Sequence, residues 1–175
     1  YLIDPIAIDR KDLISEIISS TSLIKIIHSS KQDIEALYNF TNSYPVNIFD
    51  TQIASNFISE KSNVGYSTLV KNLCNCDIKE GSWRTNWLER PLSTKKVDYA
   101  ADDVRYLIQI KSLLIKRLKE LDRLSWFEEE QANELNKSNI IIDPNKAWKK
   151  INFPLHFCTE ELELLKKIAC WREKL

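Results

Sequence analysis

Residues 23–58 most narrow the folds open to this chain. LIKIIH (23–28) is a short β-branched run, too short for a helix of its own. Ser29 and Ser30 follow as N-cap candidates, and a helix is expected over about 31–41 with Ile34, Leu37 and Tyr38 turned inward. YPVNIF (44–49) reads as another strand, and DTQIASNFI (50–58) as a helix opened by an Asp-Thr cap. Strands alternating with helices over the first 60 residues, then mostly helices, indicate an α/β domain with a small sheet.

The flanking segments fill in that outline. YLIDPIAI (1–8) reads as a short buried strand ending in a turn at Asp4-Pro5, and residues 9–20 place Leu13, Ile14, Ile17 and Ile18 on one helical face. GYSTLVKNLC (65–74) is a shorter helix, and 77–92 is loop-like, with Gly81 and Pro91. The clearest helix is expected from a cap at Ser93 or Thr94 to about 122. Val97, Ala100, Val104, Leu107, Leu114, Leu118 and Leu121 step along it by threes and fours, with Lys111 interrupting. A short helix is expected near 125–136, and NKSNIIIDPN (136–145) reads as a linker. AWKKINFPLHF and TEELELLKKIACWREKL then begin a second, all-helical unit. Three candidate strands are few for so many amphipathic helices, so the sheet reads as incomplete.

Composition removes several classes of function. At 175 residues one sizeable core is expected. Twenty-five basic residues balance 25 acidic ones, which argues against coating nucleic acid through bulk charge and leaves room for a local basic patch. Two glycines in the whole chain exclude the glycine-rich phosphate loops, which need several close together. No apolar run approaches the roughly 18 residues that cross a bilayer. Cys74, Cys76, Cys158 and Cys170 lack paired metal-ligand spacing and read as reduced thiols of a cytoplasmic protein.

Chemistry concentrates in a few short stretches. In YAADDVRYL (99–107), Tyr99 and Asp103 are four apart and share a helix face at the border of the apolar stripe, while Asp102 points elsewhere, toward solvent. Asp33 falls in the first turn of the 31–41 helix, and Asp50 opens the next one. Taken singly, each has a plainer account: a helix-flank tyrosine beside an exposed acid, a carboxylate favoured by the helix dipole, and an N-cap. RTNWLERPLS (84–93) adds Arg84, Trp87 and Arg90 just before the tyrosine helix.

In order and spacing, HSSKQDIEAL, NIFDTQIAS, GYSTLVKNL, WLERPLS and YAADDVRYL resemble the ribonuclease D family of 3′-to-5′ exonucleases, over about residues 1–130. AWKKINF with ELELLKKIACWREKL resembles the first part of the helicase-and-RNase-D C-terminal domain. The resemblance implies an RNase H-like exonuclease domain over 1–136, a linker at 137–145 and the start of the helical domain at 146–175. It also implies two divalent ions, Mg²⁺ or Mn²⁺, acting on an RNA phosphodiester, with tRNA precursors among the substrates. Asp33 then matches the second-motif aspartate, which helps hold the looser metal. Asp103 matches the third-motif metal ligand, and Tyr99 the residue that orients the attacking water. RNA contact is expected from Arg84, Arg90, Lys95, Lys96 and His28, the last a structural hydrogen-bonder rather than a base, and from Lys146, Lys149 and Lys150. Trp83 and Trp87 stack on bases or pack internally.

The chain departs from the family at the Asp-x-Glu strand. Its one Asp-x-Glu is Asp33-Ile34-Glu35, on an expected helix where i and i+2 lie roughly 200° apart. The motif is therefore expected upstream of YLIDP, in a longer protein of which this chain is a part; the chain also contains no methionine. On that expectation the chain carries half a metal site. Asn86 stands where the family carries an acid before Arg-Pro-Leu, as an amide of the same shape. The rival class is a degenerate or split nuclease that keeps nucleic-acid binding without catalysis. A DNA exonuclease of the same superfamily is a third reading.

Overall fold

In the computed structural model, strands β1 (Lys25–Ile27) and β2 (Ile48–Asp50) pair in parallel, Lys25 opposite Ile48 and Ile27 opposite Asp50. The structure describes all residues except 1, 60, 79–85, 142, 154–157 and 175, and of 138 and 139 only the backbone. Parallel strands need a crossover, supplied here by helix α2 (Lys31–Thr41). Before the sheet lies α1 (Lys11–Ser19). After it come α3 (Thr51–Asn56), α4 (Tyr66–Cys74), α5 (Thr94–Arg105), α6 (Leu107–Glu120) and α7 (Leu124–Glu134). The expected mixed α/β architecture with a small sheet is present; β2 is shorter than the predicted 44–49 strand, because Pro45 brings no N–H to a ladder.

Helix α6 forms the centre of the core. Leu107, Ile110, Leu114 and Leu118 recur by threes and fours and are all buried, and α3, α4, α7 and β1 pack around them. Burial of each such side chain stabilises the fold by about 1.5–3 kcal/mol. Phe49 of β2 and Phe127 of α7 meet with ring centroids 5.0 Å apart. One turn beyond Phe127, Gln131 reaches β2's outer edge: its Oε1 accepts the Asp50 N–H at 2.7 Å and its Nε2 donates to the Ile48 carbonyl at 2.9 Å. A side-chain amide thus takes the place of a neighbouring strand.

Three expectations are corrected. The single helix over 93–122 is two, broken at Tyr106 (φ −101°, ψ −2°). No residue of α5 is buried and Val104 is exposed, so the apolar stripe serves the core only from Leu107 onward. Residues 2–8 form a turn in place of a buried strand, with Ala7 and Ile8 N–H on the Asp4 carbonyl and Leu2, Ile3 and Ile6 exposed. Asp4 is held instead by Arg90 through two bonds of 2.6 and 2.7 Å. Of the predicted inward face of α1 only Ile18 is buried, while Leu13 and Ile17 are exposed.

Residues 1–134 and 135–175 are two compact units. In the second, the stretch read as a linker contains a turn of helix, α8 (Lys137–Ile140), followed by a 3-10 helix (Pro144–Lys150) that packs against α9 (Thr159–Arg172). Ile140 of α8, Ala147 of the 3-10 helix and Ala169 of α9 are buried. The Lys166 ammonium lies 5.2 Å from the Trp148 ring centroid, and Phe153 packs on the same indole. No helix among the described residues is long and apolar enough to cross a membrane.

Candidate active site

The site begins at Asp50, the last residue of β2, which is 1% exposed. Its Oδ1 accepts from the N–H groups of Ser29, Gln52 and Ile53; its Oδ2 accepts from the Ser30 N–H and hydroxyl, both at 2.7 Å. One carboxylate therefore caps α3, as expected, and also clamps the turn into α2. Ser29 makes that turn at φ 60°, and Ser30 directs its hydroxyl to Asp50 rather than to its own helix. Five donors offset the cost of burying the charge.

This clamp orients two predicted residues. Asp33 lies in the first turn of α2. His28, just past β1, has its Nδ1 2.9 Å from the Thr51 hydroxyl, which itself donates to the Ile27 carbonyl. Nδ1 is then the protonated nitrogen. His28 Nε2 is buried with no hydrogen-bond partner among the described residues; the Val64 backbone favours the charged ring without meeting hydrogen-bond geometry. Burial pushes the imidazole pKa down, with the Asp50 charge opposing, so the ring is a neutral structural group.

Asp33 and His28 share the lining of a cleft of about 760 Å³ with Asp103, Tyr66 and apolar side chains that include Ile27, Leu37 and Leu107. The two acids, 70 positions apart in sequence and on different helices, come to one cavity. Both are open to solvent by surface area, yet the cleft walls remove enough water to raise their pKa values. For Asp33 desolvation leads and the Asp50 charge adds; for Asp103 desolvation leads and Asp102 adds. Tyr99 lies one turn before Asp103, with its ring centroid 6.0 Å from that of Trp87. Burial first, and the Asp103 charge second, raise the Tyr99 pKa. Asp102 pairs with Arg105 at 3.1 Å and lines a separate hollow with Asp77 and Asp98, so the two adjacent acids serve different surfaces.

Asp33 and Asp103 are hard oxygen donors of the type Mg²⁺ or Mn²⁺ takes, and one or two carboxylates can suffice when substrate phosphate completes the shell. Among the described residues no three His, Cys, Asp or Glu side chains gather as ligands. The donor chemistry fits a divalent ion, and the donor count is that of the half site expected from the sequence.

The expected RNA-contacting cations divide. Arg90 is committed to Asp4 and to the Trp87 and Glu89 carbonyls, and Lys96 to Glu89 and the Asn86 carbonyl. They hold the 86–96 loop together. Lys95 is exposed, as are Lys146, Lys149 and Lys150 of the second unit. Arg84 and Trp83 lie outside the described residues. Asn86 accepts the Leu88 N–H through Oδ1, a role an amide fills as well as an acid. Sequence reasoning missed Tyr66 and Gln131: Tyr66 lies within the GYSTLVKNL block but was given no role there, and Gln131 stands in no motif or periodic stripe.

Comparison with known proteins bears on the same residues. The 3′-5′ exonuclease family profile matches residues 1–119. The chain belongs to the ribonuclease D family. It is 31% identical to ribonuclease D of Pseudomonas paraeruginosa over 174 residues, 99% of this chain and 46% of that protein. With ribonuclease D of Bartonella henselae the identity is 35% over 175 residues, 99% of this chain and 43% of that one. The chain thus spans about half the length of these curated relatives. Among solved structures, Escherichia coli RNase D, described as an exoribonuclease involved in structured RNA processing, superimposes with a TM-score of 0.86. That match has 28% identity and covers 99% of this chain and 46% of that one. The fold is that of the ribonuclease D exonuclease domain, RNase H-like, followed by the start of a helical domain.

Proposed function

We propose that this chain is the greater part of a 3′-to-5′ exoribonuclease domain that trims RNA 3′ ends, tRNA precursors among them, with Mg²⁺ or Mn²⁺ as cofactor. The observation that carries the reading is the single cleft that gathers Asp33 from α2 and Asp103 from α5. Asp103 and Asp33 hold the ion. A divalent ion there supplies Lewis-acid polarisation of the scissile phosphate and lowers the pKa of the attacking water. Tyr99, one turn from Asp103, holds that water by its hydroxyl. The raised carboxylate pKa values, chiefly from desolvation, accord with acids set in a cleft partly withdrawn from water.

We assign residues 1–136 to the exonuclease domain, 137–145 to a connector and 146–175 to the start of the helicase-and-RNase-D C-terminal domain. In that assignment Lys95 touches RNA from the first unit and Lys146, Lys149 and Lys150 from the second, all exposed cations. A cytoplasmic setting accords with four free thiols.

The test uses the full-length protein with end-labelled RNA and a matched DNA. Mg²⁺-dependent release of 3′ mononucleotides, faster from RNA, is expected. Metal-assisted charge stabilisation of several kcal/mol makes Asp103→Asn slower by about a hundredfold or more. Equal activity of that variant, or a preference for the DNA, overturns the proposal.

A further inference from the structure

The break between α5 and α6 lies three residues beyond Asp103, and its cause is visible. In an unbroken helix the Tyr106 N–H would donate to the carbonyl four residues back. Here it meets the Val104 carbonyl and the phenolic oxygen of Tyr66, at 3.2 Å. Tyr66 opens α4, after Gly65 as N-cap and the buried Val64. Its ring leans on His28, with centroids 5.6 Å apart, and His28 is fixed in turn by Thr51. A continuous path therefore runs from the end of β1, through His28 and Tyr66, to the helix break. One end of this path is five residues from Asp33 and the other three residues from Asp103. His28 and Tyr66 also line the cleft that the two acids share. The Asp103 charge contributes to the raised Tyr66 pKa, after burial, which is consistent with a phenol close to that carboxylate.

We propose that Tyr66 is a positioning residue: by accepting the Tyr106 N–H it fixes the helix break that sets the Asp103 carboxylate in the cleft with Asp33. The proposal rests on the exonuclease reading, in which those acids hold the divalent ion. Tyr66 acts through the Tyr106 N–H and not as a ligand of the ion. Its hydroxyl determines where α5 stops, and the stop determines where Asp103 points.

Tyr66→Phe in the full-length protein keeps the ring on His28 and removes the hydroxyl that accepts from the Tyr106 N–H. Mn²⁺ binding without RNA, followed by electron paramagnetic resonance, is expected to weaken roughly tenfold, as for other groups that orient a metal ligand. Amide exchange at Tyr106 should speed up, while the thermal midpoint stays near that of the parent. In an Asp103→Asn background the Phe substitution should change Mn²⁺ affinity no further. An ester in place of the Tyr106 amide, which removes the donor and leaves Tyr66 intact, should reproduce the weakening. Parental Mn²⁺ affinity in Tyr66→Phe, alongside weakened binding by Asp103→Asn, overturns the positioning role and leaves the metal-site reading standing. Unchanged Mn²⁺ binding by Asp103→Asn overturns that reading, and this proposal with it.

Discussion

Asp33 and Asp103 carry a cost that their neighbours do not relieve. Each has a pKa above the ordinary 3.8, chiefly from desolvation, so the folded state holds these protons more tightly than the unfolded chain does. Stability contributed by these groups is therefore lost as pH rises through the raised values, and the deficit is fully present at neutral pH. Asp33→Asn and Asp103→Asn should each raise the thermal midpoint at pH 7 and leave it unchanged near pH 3, where both states are protonated. Equal gains at both pH values would point to packing instead. Asp50 differs in kind: a nearly inaccessible carboxylate with five donors, structural in every contact. Its capping of α3 was legible from the Asp-Thr pair. Its hold on Ser29 and Ser30 was not, because a contact across 20 residues leaves no local pattern.

Among elements, α2 was the most legible. Its start after the two serines and its inward Ile34 stand as expected, and Asn42 ends it in the left-handed conformation, although the Ser30 hydroxyl serves Asp50 and does not cap the helix. The α5–α6 pair was the least legible, since the apolar spacing runs across the join and the break comes from a hydroxyl 40 residues earlier. Helix α7 shows a second such device in Gln131. Gln131→Ala leaves the Asp50 N–H and the Ile48 carbonyl without their partner, and the expected loss is about 1–3 kcal/mol by urea denaturation. Gln131→Glu keeps the acceptor and loses the donor, so it should fall between parent and Ala. A loss under a few tenths of a kcal/mol in the Ala variant would mean that water replaces the amide.

For the molecule as a whole, the sequence conveyed class and order better than burial. Strand–helix alternation gave the α/β class and the five motif blocks led to the right family, and the 3′-5′ exonuclease profile covers residues 1–119. Residues 2–8 and the predicted inward face of α1 were misjudged, because hydrophobicity tells what a side chain favours and not whether a surface is present to receive it. Leu2, Ile3, Ile6, Leu13, Ile17, Leu23 and Ile24 are all exposed. With formal net charge +0 and pI near 6.9, little repulsion keeps those surfaces apart at neutral pH. Light scattering of the 175-residue chain should peak near pH 7 and fall toward pH 5 and pH 9; a flat profile would show that the apolar patches do not associate. The Gln131 amide has a further consequence, for the direction of sheet growth. With β2's outer edge occupied by a side chain, the two-stranded ladder of the described residues is shut on that side. Any strand that joins it must lie alongside Lys25–Ile27, next to the turn that leads to His28 and Asp33. Widening the sheet and walling in the acids would then be one event.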